Sequence, residues 1–180
     1  MIDELFSGKF DTAIGRDIKL NLKKFLGESE LTVEESGLVL LGLSASLKSK
    51  KLEDLARHHL SSSGLAEEIL EEARQAGALM GLMNTYYRFR YMIEETSSEK
   101  RLPDDYRVAG LRMNGMLKPL MGKVPFELVA FAVSVLNGCK NCIAAHEKTL
   151  MDHQVSRNKI HDLARLAAVA KACDGLFNQA

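Results

Sequence analysis

Two cysteines and a histidine occupy one short stretch near the start of the chain's last third. Cys139 and Cys142 are separated by two residues, and His146 follows four residues after the second cysteine. Two thiols at this spacing can close a disulfide within a single helical turn, and a histidine one turn further on can take or return the proton that makes a thiol a nucleophile. The spacing therefore predicts thiol-disulfide chemistry.

The residues before this stretch favour a reactive position for both thiols. Asn137 and Gly138 end one predicted helix and Cys139 begins the next. Both thiols then lie in the first helical turn, where unpaired backbone amides and the helix dipole favour a negative charge. A free cysteine has a pKa near ~8.5, and helix-start or paired cysteines commonly have a lower pKa. We expect these thiols to ionise more readily than an ordinary cysteine.

A carboxylate in the preceding helix is a candidate partner for the histidine. Glu127 stands in an otherwise apolar stretch, and a helical rise of 1.5 Å per residue puts it roughly 16 Å before the turn and His146 roughly 12 Å after it. Glu127 can then reach His146 directly or through a water. The pattern predicts a relay in which Glu127 orients and charges His146, while His146 exchanges a proton with Cys142. A glutamate placed favourably at a helix start after Pro125 is the alternative interpretation.

Composition restricts the class of protein. The 180 residues include 24 basic and 24 acidic side chains, so no global field would gather nucleic acid. No apolar run approaches the ~20 residues that span a bilayer, and the amino terminus lacks a basic-then-apolar leader, which predicts a cytoplasmic protein that binds no membrane. In a reducing compartment, a close cysteine pair is catalytic or metal-binding more often than structural.

The chain has a helical composition and a visible midpoint. It contains 13 glycines, 3 prolines and no tryptophan, and β-branched alternating runs are hard to find. Residues 94–105 are polar, contain Pro103 and show no apolar periodicity. We predict one all-α domain over residues 1–180, with an inactive helical half at 1–93 and a cysteine-bearing half at 106–180.

A weak internal repeat suggests that the two halves are related. Ile69 and Arg74 have the spacing of Ile160 and Arg165, which gives an offset of 91 residues. The first half contains no cysteine. In the second half we expect a helix through Tyr106, Leu111 and Met116, followed by three helices near residues 125–137, 139–152 and 156–175.

Other residues predict helix ends and packing. Thr32 and Glu35 have the spacing of a capping box. Gly77 and Gly81 lie four residues apart on the inner face of one predicted helix, which favours close helix packing. Cys173 lies among apolar residues of the last helix and is expected in the core.

The combined pattern resembles a known family. It resembles the active-site signature of the alkyl hydroperoxidase D family, in the carboxymuconolactone decarboxylase-like superfamily. The matching pattern is Glu127, eleven residues, Cys139-Lys140-Asn141-Cys142, three residues and then His146. Length and helical character are also similar over essentially the whole chain. The resemblance implies an all-α bundle of two similar halves, with the cysteine pair at a helix N-terminus in the second half. It also implies an antioxidant thiol peroxidase that reduces alkyl hydroperoxides.

The resemblance extends to partners and to one departure. It implies that no cofactor or metal is bound, that the protein regenerates an oxidised partner peroxiredoxin, and that electrons come from the dihydrolipoyl domain of a 2-oxoacid dehydrogenase complex. It also implies a homo-oligomer, often a trimer. The family commonly has a histidine directly before the second cysteine, where this chain has Asn141. The asparagine amide cannot take up and release a proton at neutral pH. We therefore expect His146 and Glu127 to be sufficient for the proton relay.

Three alternatives remain open at the level of sequence. The first is a zinc-binding helical module that uses Cys139, Cys142 and His146, although a structural zinc site needs a fourth ligand and the chain has no second cysteine pair. The second is a decarboxylase of the broader superfamily, which would act on a lactone without thiols. The third is a helical interaction module with incidental thiols.

Overall fold

All regular structure in the described part of the chain is helical. The computed structural model describes residues 1–178, and within them it has eight α-helices and no β-strand. The helices are α1 (Ile2–Leu5), α2 (Ala13–Gly27), α3 (Val33–Leu47), α4 (Lys50–His59), α5 (Glu67–Thr96), α6 (Lys123–Leu136), α7 (Lys140–Asp152) and α8 (Arg157–Phe177). The all-α prediction is confirmed. None of these helices combines the length and apolar character needed to cross a bilayer. Residues 179 and 180 of the predicted domain lie outside the described residues.

Three consecutive helices in the first half have counterparts in the second half. The helices α3, α4 and α5 begin 90 residues before α6, α7 and α8, respectively. The predicted offset of 91 is therefore wrong by one residue. Ile160 is equivalent to Leu70, and both are buried, whereas Ile69 is only partly buried. Residue type alone matched the two isoleucines, but burial identifies the equivalent positions.

The helices α3 and α6 form the centre of the bundle. Residues 36–44 of α3 and residues 126–134 of α6 are all buried, as expected for helices covered on every side. The two helices pack against each other; α3 also contacts α4, α5 and α8, while α6 also contacts α5, α7 and α8. The cysteine-bearing helix α7 therefore rests on a fully buried neighbour.

The start of α3 carries the predicted capping box. The Thr32 hydroxyl accepts a hydrogen bond from the Glu35 backbone N–H at 3.1 Å, and the Glu35 carboxylate accepts one from the Thr32 N–H at 2.9 Å. Both bonds satisfy donors that the first helical turn leaves unpaired. The cap therefore fixes where the central helix of the first half begins.

The segment between the halves is less helical than predicted. The helix α5 continues to Thr96, and the helix expected through Tyr106, Leu111 and Met116 is absent, since only short 3₁₀ turns occur at Asp104–Tyr106 and Asn114–Leu117. Gly110 adopts a positive φ of 65°, which interrupts a helix. Val108 is 84% exposed, so the segment has no continuous apolar face to bury.

Close packing of α3 against α5 depends on one glycine of the predicted pair. A Cβ on Gly77 would lie 2.0 Å from the carbonyl oxygen of Gly42, so only glycine fits. A Cβ on Gly81 would have no neighbour within 4 Å, and the prediction that Gly81 serves packing is wrong.

We expect Gly77→Ala to lower the free energy of unfolding by about 1–3 kcal/mol, because the new methyl group forces the backbones of α3 and α5 apart. Gly81→Ala is the matched control on the same helix. It should leave stability unchanged or raise it by up to about 1 kcal/mol, since alanine favours a helix interior. Urea unfolding followed by circular dichroism measures both, and equal stability of the two variants would contradict the packing role of Gly77.

Candidate active site

A short turn between α6 and α7 presents the first cysteine. Gly138 adopts a positive φ of 64°, and the Cys139 backbone N–H returns to the Ser134 carbonyl at 3.1 Å. Cys139 is the N-cap residue of α7, and Cys142 is the third residue of that helix. The structure thus places both cysteines at a helix start, as the sequence predicted.

The two cysteines are joined to each other. Cys139 and Cys142 form a disulfide with their Cα atoms 5.2 Å apart. Their residues are 1% and 9% exposed, respectively, so the sulfur atoms are sheltered rather than displayed on the surface. The structure represents the oxidised state of this pair.

Glu127 and His146 meet directly. His146 Nδ1 lies 2.7 Å from Glu127 Oε2, and both residues are buried, with Glu127 only 3% exposed. Burial by itself would raise the pKa of Glu127, but hydrogen bonds from His146 and Lys123 together with their charges lower it below the ordinary glutamate value. An ionised carboxylate only accepts, so Nδ1 carries the proton and Nε2 is the free ring nitrogen when the imidazole is neutral. The direct contact agrees with the estimate from helical rise.

A lysine that the sequence interpretation passed over completes this pair. Lys123 Nζ lies 2.7 Å from Glu127 Oε1, the oxygen that His146 does not use. The side chain of Lys123 is 45% exposed, so it reaches from the surface to a buried carboxylate. Its spacing of four residues before Glu127 on one helix was the available signal.

A polar network from α5 holds the turn before Cys139. Asn84 is buried, donates to the Ser134 hydroxyl at 2.9 Å and accepts from the Asn137 side chain at 3.0 Å. Arg88 donates to the Asn137 carbonyl at 2.8 Å. These bonds fix the end of α6 against α5, and the sequence interpretation missed them because the partners lie about fifty residues apart.

Two cavities approach the disulfide from different sides. One of about 330 Å³ reaches Cys142, and its walls include Tyr87, Tyr91, Lys123, Glu127 and His146. The other, of about 140 Å³, reaches Cys139, and its walls include Arg88, Tyr91, Met92, Glu95 and Lys140. Asn141 and Tyr91 line both cavities. Cys142 therefore shares its cavity with the Glu127–His146 pair, whereas Cys139 faces the end of α5.

The first half has no such constellation at its equivalent positions. The residues 90 positions before Glu127, Cys139, Cys142 and His146 are Gly37, Ser49, Leu52 and Ala56. None of these four carries a thiol, an imidazole or a carboxylate. The first half thus repeats the arrangement of three helices without these four side chains, and its inactivity stays a prediction.

The third cysteine is a core residue, as predicted. Cys173 is fully buried in α8, and burial raises the pKa of its thiol to about 12. It therefore stays protonated at neutral pH, and a protonated thiol is a poor nucleophile.

The zinc alternative lacks a ligand set. Within residues 1–178, no three His, Cys, Asp or Glu side chains are grouped so that they could hold a metal ion. The two sulfur atoms bond to each other, and His146 Nδ1 is occupied by Glu127. The arrangement of these donors favours redox use of the cysteine pair.

Comparison with known proteins identifies relatives of the whole chain. The family model of the Carboxymuconolactone decarboxylase family matches residues 107–179. A protein of Anaeromyxobacter dehalogenans named alkyl hydroperoxide reductase AhpD is 39% identical over 87% of this chain and 81% of its own length. Proteins of the same name from Mycolicibacterium smegmatis and Streptomyces griseus are 38% and 35% identical. They cover 86% and 95% of this chain, and 82% and 92% of their own lengths.

Replacing Glu127 by Gln should slow alkylation of the reduced cysteine pair at neutral pH. A neutral amide no longer stabilises a positive imidazolium, so His146 becomes a weaker base for the neighbouring thiol. The measurement is the iodoacetamide reaction rate of the reduced protein between pH 5 and 10. Glu147→Gln, which neutralises an exposed carboxylate on α7 next to His146, is the control and should behave as wild type. Identical rates for Glu127→Gln and wild type across this range would remove Glu127 from the relay.

Proposed function

Since the chain belongs to the alkyl hydroperoxide reductase AhpD family, we propose that it reduces organic hydroperoxides through the Cys139–Cys142 pair, with Glu127 and His146 as its proton relay. The chain is a peroxidase-type oxidoreductase. One observation carries the relay: a buried Glu–His pair lies in the same cavity as one of two cysteines that form a disulfide.

The geometry supports Cys142 as the cysteine that attacks the peroxide. Cys142 lines the cavity that contains His146, so His146 Nε2 can receive the thiol proton there. The Cys142 thiolate attacks one peroxide oxygen, the O–O bond breaks, and the alkoxide leaves with the proton that His146 returns. Cys142 becomes a sulfenic acid, and the alcohol is the first product.

Cys139 completes the cycle as the resolving thiol. Its sulfur attacks the sulfenic sulfur of Cys142, which expels hydroxide, and the Cys139 thiol proton converts that hydroxide to water. The two cysteines have then supplied the two electrons that reduce one hydroperoxide to an alcohol and water, and they end as the observed disulfide. An external dithiol must reduce this disulfide before the next turnover.

Family membership supports a proposal for the reductant and the partner. We propose a dihydrolipoyl domain of a 2-oxoacid dehydrogenase complex as the external dithiol, and an oxidised peroxiredoxin as a second substrate that the reduced pair regenerates. The cavity at Cys139 supports exchange at this sulfur, because it is separate from the cavity that contains His146. Such a reaction would take place in the cytoplasm, where both partners are expected.

We also propose that the chain self-associates, as a trimer or another homo-oligomer. Large apolar side chains are exposed on the second half of α5 and on the segment between the halves, and the segment is tied to α5 by a ring contact of Tyr106 with Phe89 at 5.5 Å. Val108 and Leu117 are 84% and 75% exposed, respectively. Large exposed apolar side chains grouped on these two segments favour burial against another copy.

The peroxidase proposal predicts that either Cys139→Ser or Cys142→Ser reduces peroxide turnover to the protein-free rate, because one thiol alone cannot close the disulfide. The assay couples cumene hydroperoxide reduction to a dihydrolipoyl carrier, with and without a partner peroxiredoxin. Cys173→Ser serves as the control and should retain wild-type turnover, since Cys173 is a buried core thiol. Full activity in both serine variants of the pair would contradict the proposed chemistry.

The self-association proposal predicts that Val108→Glu combined with Leu117→Glu lowers the solution mass towards that of one chain. Two buried carboxylates without partners would oppose assembly. Light scattering after size-exclusion chromatography gives the mass. Ile14→Glu, an equally exposed apolar position on α2, should not change it. An unchanged oligomer in the double variant would place the interface elsewhere.

A further inference from the structure

The position of Lys123 is unfavourable for the helix that contains it. Lys123 is the first residue of α6, where the helix dipole favours a negative charge, and the first turn of α6 has no acidic residue. Lys123 also precedes Glu127 in the pair, which is the less favourable order for an i,i+4 ion pair on a helix. The helix dipole and the order of the ion pair therefore do not explain a lysine at this position.

The first half provides an internal comparison. The equivalent of Lys123 is Val33, which also begins its helix, and the equivalent of Glu127 is Gly37. The two helices bury equivalent stretches of nine residues, so the scaffold forms with neither charge. Lys123 and Glu127 occur together in the half that carries the cysteine pair and are both missing from the half that does not.

The contacts of the carboxylate show what Lys123 does. Glu127 Oε1 faces Lys123 Nζ and Oε2 faces His146 Nδ1, each at 2.7 Å. Each carboxylate oxygen contacts a different partner, so rotation of the carboxylate group would break one of the two contacts. Lys123 therefore favours the orientation in which Oε2 faces His146. The lysine charge also offsets part of the negative charge that would otherwise act on the imidazole alone.

We propose that Lys123 is a positioning residue of the relay, which holds the Glu127 carboxylate against His146 and offsets part of the carboxylate charge that faces the imidazole. This inference rests on the proposed function of the same site. Lys123 touches neither cysteine in this role and acts through Glu127.

The groups that surround the carboxylate define what a titration would report. The cavity around the pair is lined by titratable or charged groups from three helices, which are Tyr87 and Tyr91 on α5, Lys123 on α6, and Cys142 and His146 on α7. Removing the lysine cation disfavours the neutral imidazole, because it leaves the full carboxylate charge on His146. We expect the protonated imidazole to persist to higher pH in that variant, and because an imidazolium stabilises a neighbouring thiolate, the acidic limb of thiol alkylation should move to lower pH.

The test compares Lys123→Met with Lys123→Arg and with Lys148→Met, an exposed lysine on α7 that pairs with Asp152. The imidazole of His146 in the reduced protein is titrated by NMR, and iodoacetamide alkylation of the cysteine pair is followed from pH 5 to 10. We expect Lys123→Met to shift the His146 titration to higher pH and the alkylation curve to lower pH, each by about 0.5 unit or more, the size expected for a half-exposed ion pair. Lys123→Arg and Lys148→Met should coincide with wild type.

Curves of Lys123→Met that overlay wild type would overturn the inference, as would an equal shift in Lys148→Met. If Lys123→Met loses the wild-type circular dichroism spectrum, Lys123→Gln replaces it with the same expected shift. Neither readout needs peroxide turnover. If the curves shift but the protein fails the peroxidase assay, the role of Lys123 is supported and the proposed function is rejected. If the protein turns over peroxide but the curves do not shift, the proposed function is supported and the role of Lys123 is rejected.

Discussion

The buried carboxylate of Glu127 is the constraint on which the site depends. The helix α6 is buried over nine consecutive residues, and an ionised group there is tolerated only when it is paired and hydrogen-bonded. His146 and Lys123 provide that pairing, one on each oxygen. Because the partner on α7 must reach α6 at hydrogen-bond distance, the contact sets how α7 lies on α6. The cysteine pair begins α7, so the same contact sets where the sulfur atoms face.

The two equivalent sets of three helices differ in the reactive side chains that they carry. The two sets of helices begin 90 residues apart and bury equivalent positions, yet the first half has no equivalent of the side chains of Lys123, Glu127, Cys139, Cys142 and His146. In the first half, Ser49 and Leu52 stand where the cysteines stand in the second half. The scaffold owes its stability to the apolar faces of α3 and α6, which both halves share. Gly37 lies where Glu127 stands in the second half, and a Cβ there would lie 2.4 Å from Leu60, so the two halves pack this position differently.

The helix α5 belongs to the first half and also contacts α6 and α7 of the second half. It packs on α3 through Gly77, and further along it supplies the Asn84 and Arg88 bonds that hold the turn before Cys139. Its last turns provide walls for both cavities at the disulfide. The helix α5 thus contacts both the core of the first half and the candidate site in the second half. The first half therefore helps to position the candidate site, although it has no equivalent reactive side chains.

The sequence by itself determined the helical class, the capping box at Thr32 and the placement of both thiols at a helix start, because these depend on local spacing and helix-end chemistry. It also predicted that Glu127 reaches His146, since helical rise fixes distances across one turn. Tertiary structure alone decided the rest. The helix expected near Leu111 is absent because no neighbouring surface covers it, the repeat offset is 90 because burial identifies equivalent positions, and Gly81 is not a packing residue because no helix approaches it. Asn84 meets Ser134 and Asn137 only because α5 packs against α6, and such contacts depend on how helices pack, which spacing along the chain does not encode.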